Sequence, residues 1–325
     1  MADDAAVIDN RETDFPEWLT DPQGPLAPLG PQAVLLGGHR LRRWGLSEVW
    51  RLQLGGSAER SVIVKRGTGE MAREGLRYRE LIVPLRITAP RLIAAQGGEG
   101  TEPVVLVLED VGEQTLEQRP TPAGYREAVR TLARMRASAT ERLSANPALA
   151  AGLRRTAADF AETAQRAATG LGRLRPDLAG SLDTPAAALA DRLDLLSGSP
   201  DTIVHGDFHA KNLVHGADGR ISPVDWPGSY LHPHLGDLYC LLREARKLGL
   251  DRRVDAVGLP DLFARESGTD PASVRELLVT GGLCWTLIAL RWVVEEGIGA
   301  VPESAEWIDE LVGEARSLAQ RSPEV

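Results

Sequence analysis

Residues 202–228 read TIVHGDFHAKNLVHGADGRISPVDWPG and differ in texture from the sequence on either side. A short apolar run leads into a polar loop, and a second apolar run, a turn at 217–219 and a third run, ISPVDW, follow. The surrounding sequence is rich in alanine, leucine and arginine, with helical patterns over 122–168 and 184–197. The pattern predicts a polar loop and a β-hairpin set into a mainly helical region.

Three oxygen-bearing side chains in this stretch suit phosphoryl transfer. That reaction needs a carboxylate that accepts the proton of the attacking hydroxyl, oxygen ligands for Mg²⁺ and a cation on the nucleotide phosphates. Asp207 is the candidate catalytic base. Asn212 and Asp225 carry the hard oxygen donors that Mg²⁺ prefers, and the hairpin between them can bring both to one side.

A candidate for the required cation lies upstream. Lys65 follows the apolar run Val62–Val64, so its ammonium is expected at the end of a strand. Only three of the 37 basic residues are lysines, and two of them, Lys65 and Lys211, fall inside the segments that carry the chemistry. Lysine and arginine differ in shape and donor geometry, so a lysine kept against this background supports a specific role for Lys65. The role of Lys211 stays open.

The pattern predicts an α+β fold with two lobes. We expect a loosely ordered lead-in with one helical turn at 1–30, a nucleotide-binding lobe at 31–112 and a helical catalytic and substrate lobe at 113–325. The first lobe combines strand-like runs, separated by turn residues, with an amphipathic helix over 70–82. Its GGEG at 97–100 is typical of a hairpin turn, and the loop lengths favour a small antiparallel sheet.

The strings HGDFHAKN at 205–212 and VDW at 224–226 resemble the catalytic loop of the aminoglycoside phosphotransferase and choline kinase family, whose fold is similar to that of protein kinases. The family pattern is H-G-D-x-H-x-x-N followed by an aspartate within I/V-D-W or I/V-D-F. The resemblance implies ATP and Mg²⁺ as cofactors, with Asp207 as base and Asn212 and Asp225 as metal ligands. His205 and His209 then orient the loop, and His209 is also placed to contact phosphate.

The resemblance also assigns residues outside the loop. Lys65 matches the strand lysine on the α- and β-phosphates, and Glu74 matches its partner on the following helix, although Glu70 and Glu80 remain alternatives. Further matches are Ser47 for phosphate contact in a loop that is not glycine-rich, Glu109 to Val111 for the adenine, and Asp237 as a brace of the catalytic loop.

The acceptor is the least determined part of the prediction. The family implies a hydroxyl of a small molecule (an antibiotic, amino alcohol, sugar or nucleoside), with a serine or threonine of a peptide as the alternative. The net charge of −9, and Trp285, Trp292 and Trp307 near Glu295 and Glu296, favour a cationic small molecule, although rings at helical spacing are more typical of a core.

A metal-dependent hydrolase is the remote rival. Asp207-Phe208-His209 and His232-Pro233-His234 have spacings that can bind Zn²⁺ or iron. This interpretation leaves Lys65 unexplained, and so we favour the phosphotransferase.

Composition and charge disfavour other partners. The acidic balance gives no electrostatic basis for binding nucleic acid. The apolar stretch Leu277–Leu290 is too short to span a bilayer and predicts a buried helix, and Cys240 and Cys284 lie in apolar runs typical of a core. The acidic first residues lack the pattern of a signal peptide, so we expect a cytoplasmic location and no membrane partner.

Overall fold

The computed structural model describes residues 15–97, 103–216 and 218–321, which divide into two compact units. Within these residues the first unit runs to Leu76 and resumes over Pro90–Asp110, and the second comprises Arg77–Ala89 and continues from Val111. The predicted turns at 97–100 and 217–219 lie in part outside the described residues. The α+β class, with a strand-rich first unit and a mainly helical second one, is confirmed.

The first unit contains a five-stranded antiparallel sheet in the order β1-β2-β3-β5-β4. Alternate residues of β3 face the core because side chains along a strand point to opposite faces, and Val62 and Val64 have no exposed surface. The small antiparallel sheet is therefore as predicted. The strands are β1 (Val34–Trp44), β2 (Ser47–Gly55), β3 (Ser61–Gly67), β4 (Leu92–Gln96) and β5 (Val104–Glu109).

A continuous helical segment follows β3, and the predicted helix over 70–82 is confirmed. It begins as a 3₁₀ turn at Gly69–Arg73 and continues through α2 (Glu74–Arg77), a π-helical turn (Tyr78–Ile82) and α3 (Val83–Leu85). Arg86 has a φ of 50°, which ends the segment in the left-handed conformation that often follows a helix.

Residues 15–30 contain the expected helical turn, but they pack on the sheet and are not the loose lead-in that we expected. They form α1 (Glu17–Thr20) and a 3₁₀ turn (Ala27–Leu29). Leu19 is fully buried in the core that contains Trp50, and the ring of Phe15 lies 5.6 Å from that of Trp50. In the sequence, prolines and charged residues separate the apolar residues of this segment. The segment was therefore not recognised as one that covers the apolar face of the sheet. Residues 1–14 of the predicted segment lie outside the described residues.

The second unit combines helices with two short antiparallel pairs of strands. Strand β6 (Ile203–Val204) pairs with β9 (Tyr230–Leu231), and β7 (Leu213–His215) forms the predicted hairpin with β8 (Ile221–Pro223). The helices are α4 (Pro122–Ala145), α5 (Ala157–Leu174), α6 (Asp183–Leu195), α7 (Gly236–Lys247), α8 (Leu259–Ser267), α9 (Pro271–Trp292), α10 (Ile298–Ala300) and α11 (Ile308–Ala319).

Helix α9 is the central core helix of this unit, as predicted for residues 277–290. It packs against α5, α7 and α11, and Leu283, Leu287 and Leu290 are almost fully buried. By length and composition, Pro271–Ala300 is the one helical stretch in the described residues that could cross a membrane, and half of its apolar window is buried. The two free cysteines, Cys240 and Cys284, are buried as expected.

We predict that Leu19→Ala destabilises the protein, because Leu19 is fully buried in the core of the sheet. The expected loss in the free energy of unfolding is about 2–5 kcal/mol, the usual range for a leucine removed from a core. Leu36→Ala is the matched control, since Leu36 on β1 is 68% exposed, and it should change stability by less than about 0.5 kcal/mol. Urea denaturation of the three proteins measures both effects. Equal stability of the two variants would contradict the packing of residues 15–30.

Candidate functional site

A buried ion pair lies in the first unit, between β3 and the segment that follows it. The Nζ atom of Lys65 lies 2.5 Å from Oε2 of Glu74, and both side chains are buried. Lys65 does not end its strand as expected, because β3 continues to Gly67. The lysine is therefore inside the sheet, with Leu106 of β5 as its paired residue.

The structure separates the three glutamates that the sequence left open as partners of Lys65. Glu74 makes the ion pair. Glu70 lies 3.4 Å from Arg73, and Glu80 is exposed. Burial of a charge is costly unless it is paired, so Glu74 makes it possible for Lys65 to stay charged within the sheet.

The other nucleotide-binding candidates of the first unit lie at the ends of strands. Ser47 is buried at the start of β2, where it faces Trp44 across the β1–β2 turn. Glu109 ends β5, and its carboxylate accepts a hydrogen bond from the Arg91 N–H at 3.1 Å. Val111 is the first residue after this unit.

Asp110 has a structural role that the sequence did not reveal. Its carboxylate accepts hydrogen bonds from the Ser61 hydroxyl at 2.6 Å and from Nη2 of Arg51 at 3.1 Å, and it forms an ion pair with the same guanidinium. These contacts tie the end of β5 to β2 and β3. They fix the chain where the resemblance expects the adenine to meet backbone groups.

Asp207 lies in the second unit, in the loop between β6 and β7, with a donor at each carboxylate oxygen. The amide of Asn212 donates to Oδ2 at 2.9 Å and also to the backbone oxygen of Asp207 at 3.0 Å. The Nε2 atom of His209 lies 3.2 Å from Oδ1. Half of the carboxylate side chain remains exposed, so the group is fixed in orientation and still open to a reactant.

These contacts set the charge of the loop. Partial burial raises the pKa of Asp207, but His209, His205 and the hydrogen bond from Asn212 outweigh it and lower the pKa to about 2. Burial lowers the pKa of His209, whereas the attraction of Asp207 raises it by more, so the net shift is upward. Asp207 is therefore ionised at neutral pH.

His205 is a buried orienting group. Its Nε2–H donates to the Val224 carbonyl at 3.1 Å, which leaves Nδ1 to accept the Asp207 N–H at 3.3 Å. Burial lowers the pKa of His205, so the ring is neutral. The ring thus links Val224, the residue before Asp225, to the backbone of Asp207.

Asp237 braces the same loop from the first turn of α7. Its carboxylate accepts the backbone N–H groups of His205 at 2.7 Å and Gly206 at 2.9 Å. Burial raises the pKa of Asp237, against the opposing effect of His205 and these two N–H groups. Gly206 has a φ of 89°, and a Cβ there would lie 2.7 Å from the Gly228 oxygen, so the loop requires glycine.

The β7–β8 hairpin brings Asn212 next to the second metal-ligand candidate. The Val224 N–H donates to the Asn212 carbonyl at 2.8 Å, so Asp225 is one residue beyond the partner of Asn212. The Asn212 Nδ2 is engaged by Asp207, which leaves its Oδ1 as the atom that can bind a cation. Asp225 has a φ of 72°, a strained conformation that is common in functional sites.

The metal-dependent hydrolase finds no support in the histidine pair 232 and 234. Both nitrogens of His234 are engaged: Nδ1 accepts the Gly236 N–H at 3.0 Å and Nε2 lies 2.9 Å from the Tyr230 hydroxyl. Nδ1 of His232 accepts the His234 N–H at 3.3 Å. Among residues 15–97, 103–216 and 218–321, no three His, Cys, Asp or Glu residues are grouped to hold a metal ion.

Two further charged residues had no role assigned from the sequence. The buried guanidinium of Arg136, on α4, donates to the carbonyls of Pro233 and His234, the latter at 2.8 Å. Sequence reasoning missed it because nothing distinguishes it from the many surface arginines. Lys211, whose role was open, is exposed and lies 3.6 Å from Glu117.

The aromatic and acidic groups proposed for a cationic substrate already contact arginines of the chain. Arg243 lies 4.8 Å from the ring centre of Trp285. Arg166 donates two hydrogen bonds of 2.7 Å to Glu295. Trp292 packs on the helical core and stacks with Trp307, which is 41% exposed. The tryptophans are thus mainly packing residues, the interpretation that helical spacing favoured.

Solved structures of aminoglycoside phosphotransferases share this fold. A Ralstonia eutropha JMP134 protein assigned to that class is 16% identical, with a TM-score of 0.62 over 87% of this chain and 92% of that chain. A thermostable mutant of APH(4)-Ia, in complex with ADP and hygromycin B, is 14% identical, with a TM-score of 0.59 over 91% and 96%. APH(3'')-Id from Streptomyces rimosus ATCC10970, with ADP and streptomycin, is 20% identical, with a TM-score of 0.51 over 75% and 92%.

The predicted kinase-like fold is confirmed by these likenesses, which at such identities concern the fold alone. No curated protein matches the sequence. The model of the phosphotransferase enzyme family matches residues 40–277, which include the loop of Asp207 and the pair of Lys65 and Glu74. Because this match spans well over half of the sequence, the chain belongs to the phosphotransferase enzyme family.

Proposed function

We propose that the chain transfers the γ-phosphate of ATP to a hydroxyl group of a small molecule, with Asp207 as the catalytic base. The observation that carries the proposal is the arrangement at Asp207, an ionised and half-exposed carboxylate oriented by Asn212 and His209. A carboxylate with so low a pKa is a weak base in the ground state. The role of Asp207 is to align the hydroxyl and to accept its proton as the oxygen–phosphorus bond forms.

The ion pair of the first unit supports ATP as the donor. A lysine charged and fixed by Glu74 can neutralise the α- and β-phosphates without first losing rotational freedom. The solved structures that share the fold include complexes with ADP and with AMP-PNP. Ser47 and the backbone from Glu109 to Val111 complete the proposed nucleotide contacts.

Asn212 and Asp225 are the residues that would hold Mg²⁺. Carboxylate and amide oxygens are suitable ligands for the ion. Mg²⁺ usually takes only one or two ligands from the protein and fills its other positions with waters and phosphate oxygens, so two protein ligands would be sufficient. Bound there, the ion supplies charge neutralisation on the phosphates. Asp207 keeps its hydrogen bonds to Asn212 and His209 and is left to receive the proton.

A small molecule is the acceptor that the comparisons favour over a peptide. Two of the solved structures contain hygromycin B or streptomycin. An antibiotic, amino alcohol, sugar or nucleoside therefore stays within the proposal, and the peptide alternative gains no support. We keep the cytoplasmic location as part of the proposal.

We predict that Asp207→Asn lowers kcat by about 10²–10⁴-fold, the usual value of a positioned general base. The KM for ATP should stay within about threefold, because Asp207 is assigned to the hydroxyl and not to the nucleotide. ADP release over a panel of hydroxyl compounds measures both. Asp218→Asn is the matched control, since Asp218 is 61% exposed. A kcat within twofold of wild type in Asp207→Asn would eliminate the assigned base.

We predict that Lys65→Met raises the KM for ATP and lowers kcat/KM for ATP by at least about tenfold, because a phosphate-binding cation is lost. Glu74→Gln should weaken ATP use in the same direction and destabilise the protein by up to about 3–5 kcal/mol, since it removes a negative charge beside a buried ammonium. Lys247→Met is the control, because Lys247 pairs with Glu310 at 2.8 Å on the helical unit. Wild-type kinetics in Lys65→Met at limiting ATP would contradict the assignment.

We predict an acid limb in the pH profile of kcat/KM that is due to His209. Its raised pKa means that His209 is protonated to a pH above the ordinary value of 6.5. Once protonated, it pairs with Asp207 more strongly and competes for the oxygen that must accept the proton. Activity should thus fall as the pH drops through this pKa, whereas Asp207 itself titrates only near pH 2.

His209→Gln is the variant that tests this limb, because an amide can still donate to Asp207 but does not titrate. Its acid limb should move to lower pH by one unit or more. An unchanged limb would show that another group is responsible.

A further inference from the structure

Five arginines are among the residues that line a cavity of about 250 Å³ in the second unit. Two carboxylates, of Asp159 and Glu162, also line it, and the ring of Tyr230 forms part of its wall. The five arginines are Arg77, Arg154, Arg155, Arg166 and Arg291. Neither the family pattern nor the phosphoryl-transfer residues account for this cluster.

Most of these charges have partners. Arg154 pairs with Asp201 at 2.6 Å, and Arg166 pairs with Glu295 at 2.7 Å. Arg291 lies 3.5 Å from the same Glu295. These ion pairs fix the guanidinium groups around the cavity and leave a small excess of positive charge.

Arg155 is the exception. Within 15–97, 103–216 and 218–321, no carboxylate lies within ion-pair distance of its guanidinium, and its Nη1 atom is buried without a hydrogen-bond acceptor. The carboxylate of Asp159 is already used as a cap, because it accepts both the N–H and the hydroxyl of Thr156. A buried donor without an acceptor costs about 1–3 kcal/mol, so the site favours a ligand that supplies one.

The chemistry of that ligand follows from the donors. Guanidinium groups present N–H donors in a planar fork that matches carboxylate and phosphate oxygens. A cationic ligand would meet five guanidinium groups and would leave Nη1 of Arg155 without an acceptor. The cavity therefore fits an anionic group.

The cavity adjoins the loop of the proposed base. The guanidinium of Arg155 lies 4.5 Å from the ring centre of Tyr230, and Arg77 donates through Nε to the Pro227 carbonyl at 3.2 Å. Tyr230 pairs with Val204 at the start of the catalytic loop. Two lining residues, Arg77 and Tyr230, thus contact the chain just after Asp225 and just before the loop of Asp207.

We propose that this cavity is the acceptor subsite and that it binds a carboxylate or phosphate group of the molecule whose hydroxyl is phosphorylated. The inference rests on the proposed function and replaces the cationic acceptor that the sequence favoured. Arg155 provides the specificity, the paired arginines hold the shape, and the hydroxyl of the bound molecule is presented towards Asp207.

Four sugars that differ in one substituent test the charge preference: glucuronate, glucose 6-phosphate, glucose and glucosamine. With ATP and Mg²⁺, ADP release should give a kcat/KM at least about tenfold higher for an anionic member than for glucose, with glucosamine the poorest. The two anionic members distinguish a carboxylate from a phosphate. A preference for glucosamine would overturn the inference while leaving the phosphotransferase proposal intact.

The variant Arg155→Met tests the site itself, with Arg173→Met as the matched control, because Arg173 is exposed on α5 outside the cavity. Arg155→Met should raise the KM for the anionic sugar about tenfold with little change in the KM for ATP, and Arg173→Met should change neither. Arg155→Lys keeps the charge but not the fork and should recover part of the loss. Equal KM values in wild type and Arg155→Met would overturn the inference.

Binding without turnover separates the two proposals. In the absence of nucleotide and at constant ionic strength, citrate or inorganic phosphate should raise the Tm of the wild type and of Asp207→Asn, and should raise that of Arg155→Met less. Equal shifts in wild type and Arg155→Met would refute the subsite whatever the activity. An Arg155-dependent shift in a protein that never forms ADP would support the anion site and refute the proposed function.

Discussion

The carboxylate of Asp237 is the constraint on which the catalytic loop depends. It accepts the N–H groups of two consecutive residues, His205 and Gly206, at 2.7 and 2.9 Å, and so fixes the backbone immediately before Asp207. A buried N–H group without an acceptor is energetically costly. The loop is therefore most stable in the conformation in which both N–H groups bond to this carboxylate. Asp237 therefore fixes the position of Asp207 through the backbone of the two residues that precede it.

The brace is itself held by close packing of helices. A Cβ on Gly281 of α9 would lie 2.2 Å from the Gly236 nitrogen, so α7 approaches α9 at a distance that only glycine allows. Gly236 directly precedes Asp237. The central core helix thus determines the position of Asp237. In this way the apolar packing of the helical unit is linked to the orientation of the Asp207 carboxylate.

Local patterns predicted the parts of the structure that depend on neighbouring residues. The strands around Lys65, the helix over 70–82 and the β7–β8 hairpin follow from alternation, helical spacing and turn residues. Two other features depend on tertiary contacts that local sequence patterns do not reveal. These are the choice of Glu74 among three glutamates as the partner of Lys65 and the packing of Leu19 on the sheet. Arg136 was missed for the same reason, since only the folded chain shows which charged residues are buried.

The acceptor illustrates the difference between net charge and local charge. A net charge of −9 favoured a cationic substrate, but that balance is distributed over the whole surface and is screened within about 10 Å. The arginines around the cavity are close to any molecule bound there, and Arg155 has no carboxylate partner among the described residues. At such short range local donors outweigh a charge spread over the whole surface, which is the reason for proposing an anionic acceptor. The two proposed sites also use different basic residues. A lysine, with its compact charge, serves the proposed nucleotide contact, whereas arginines, with their planar forks, surround the proposed acceptor site.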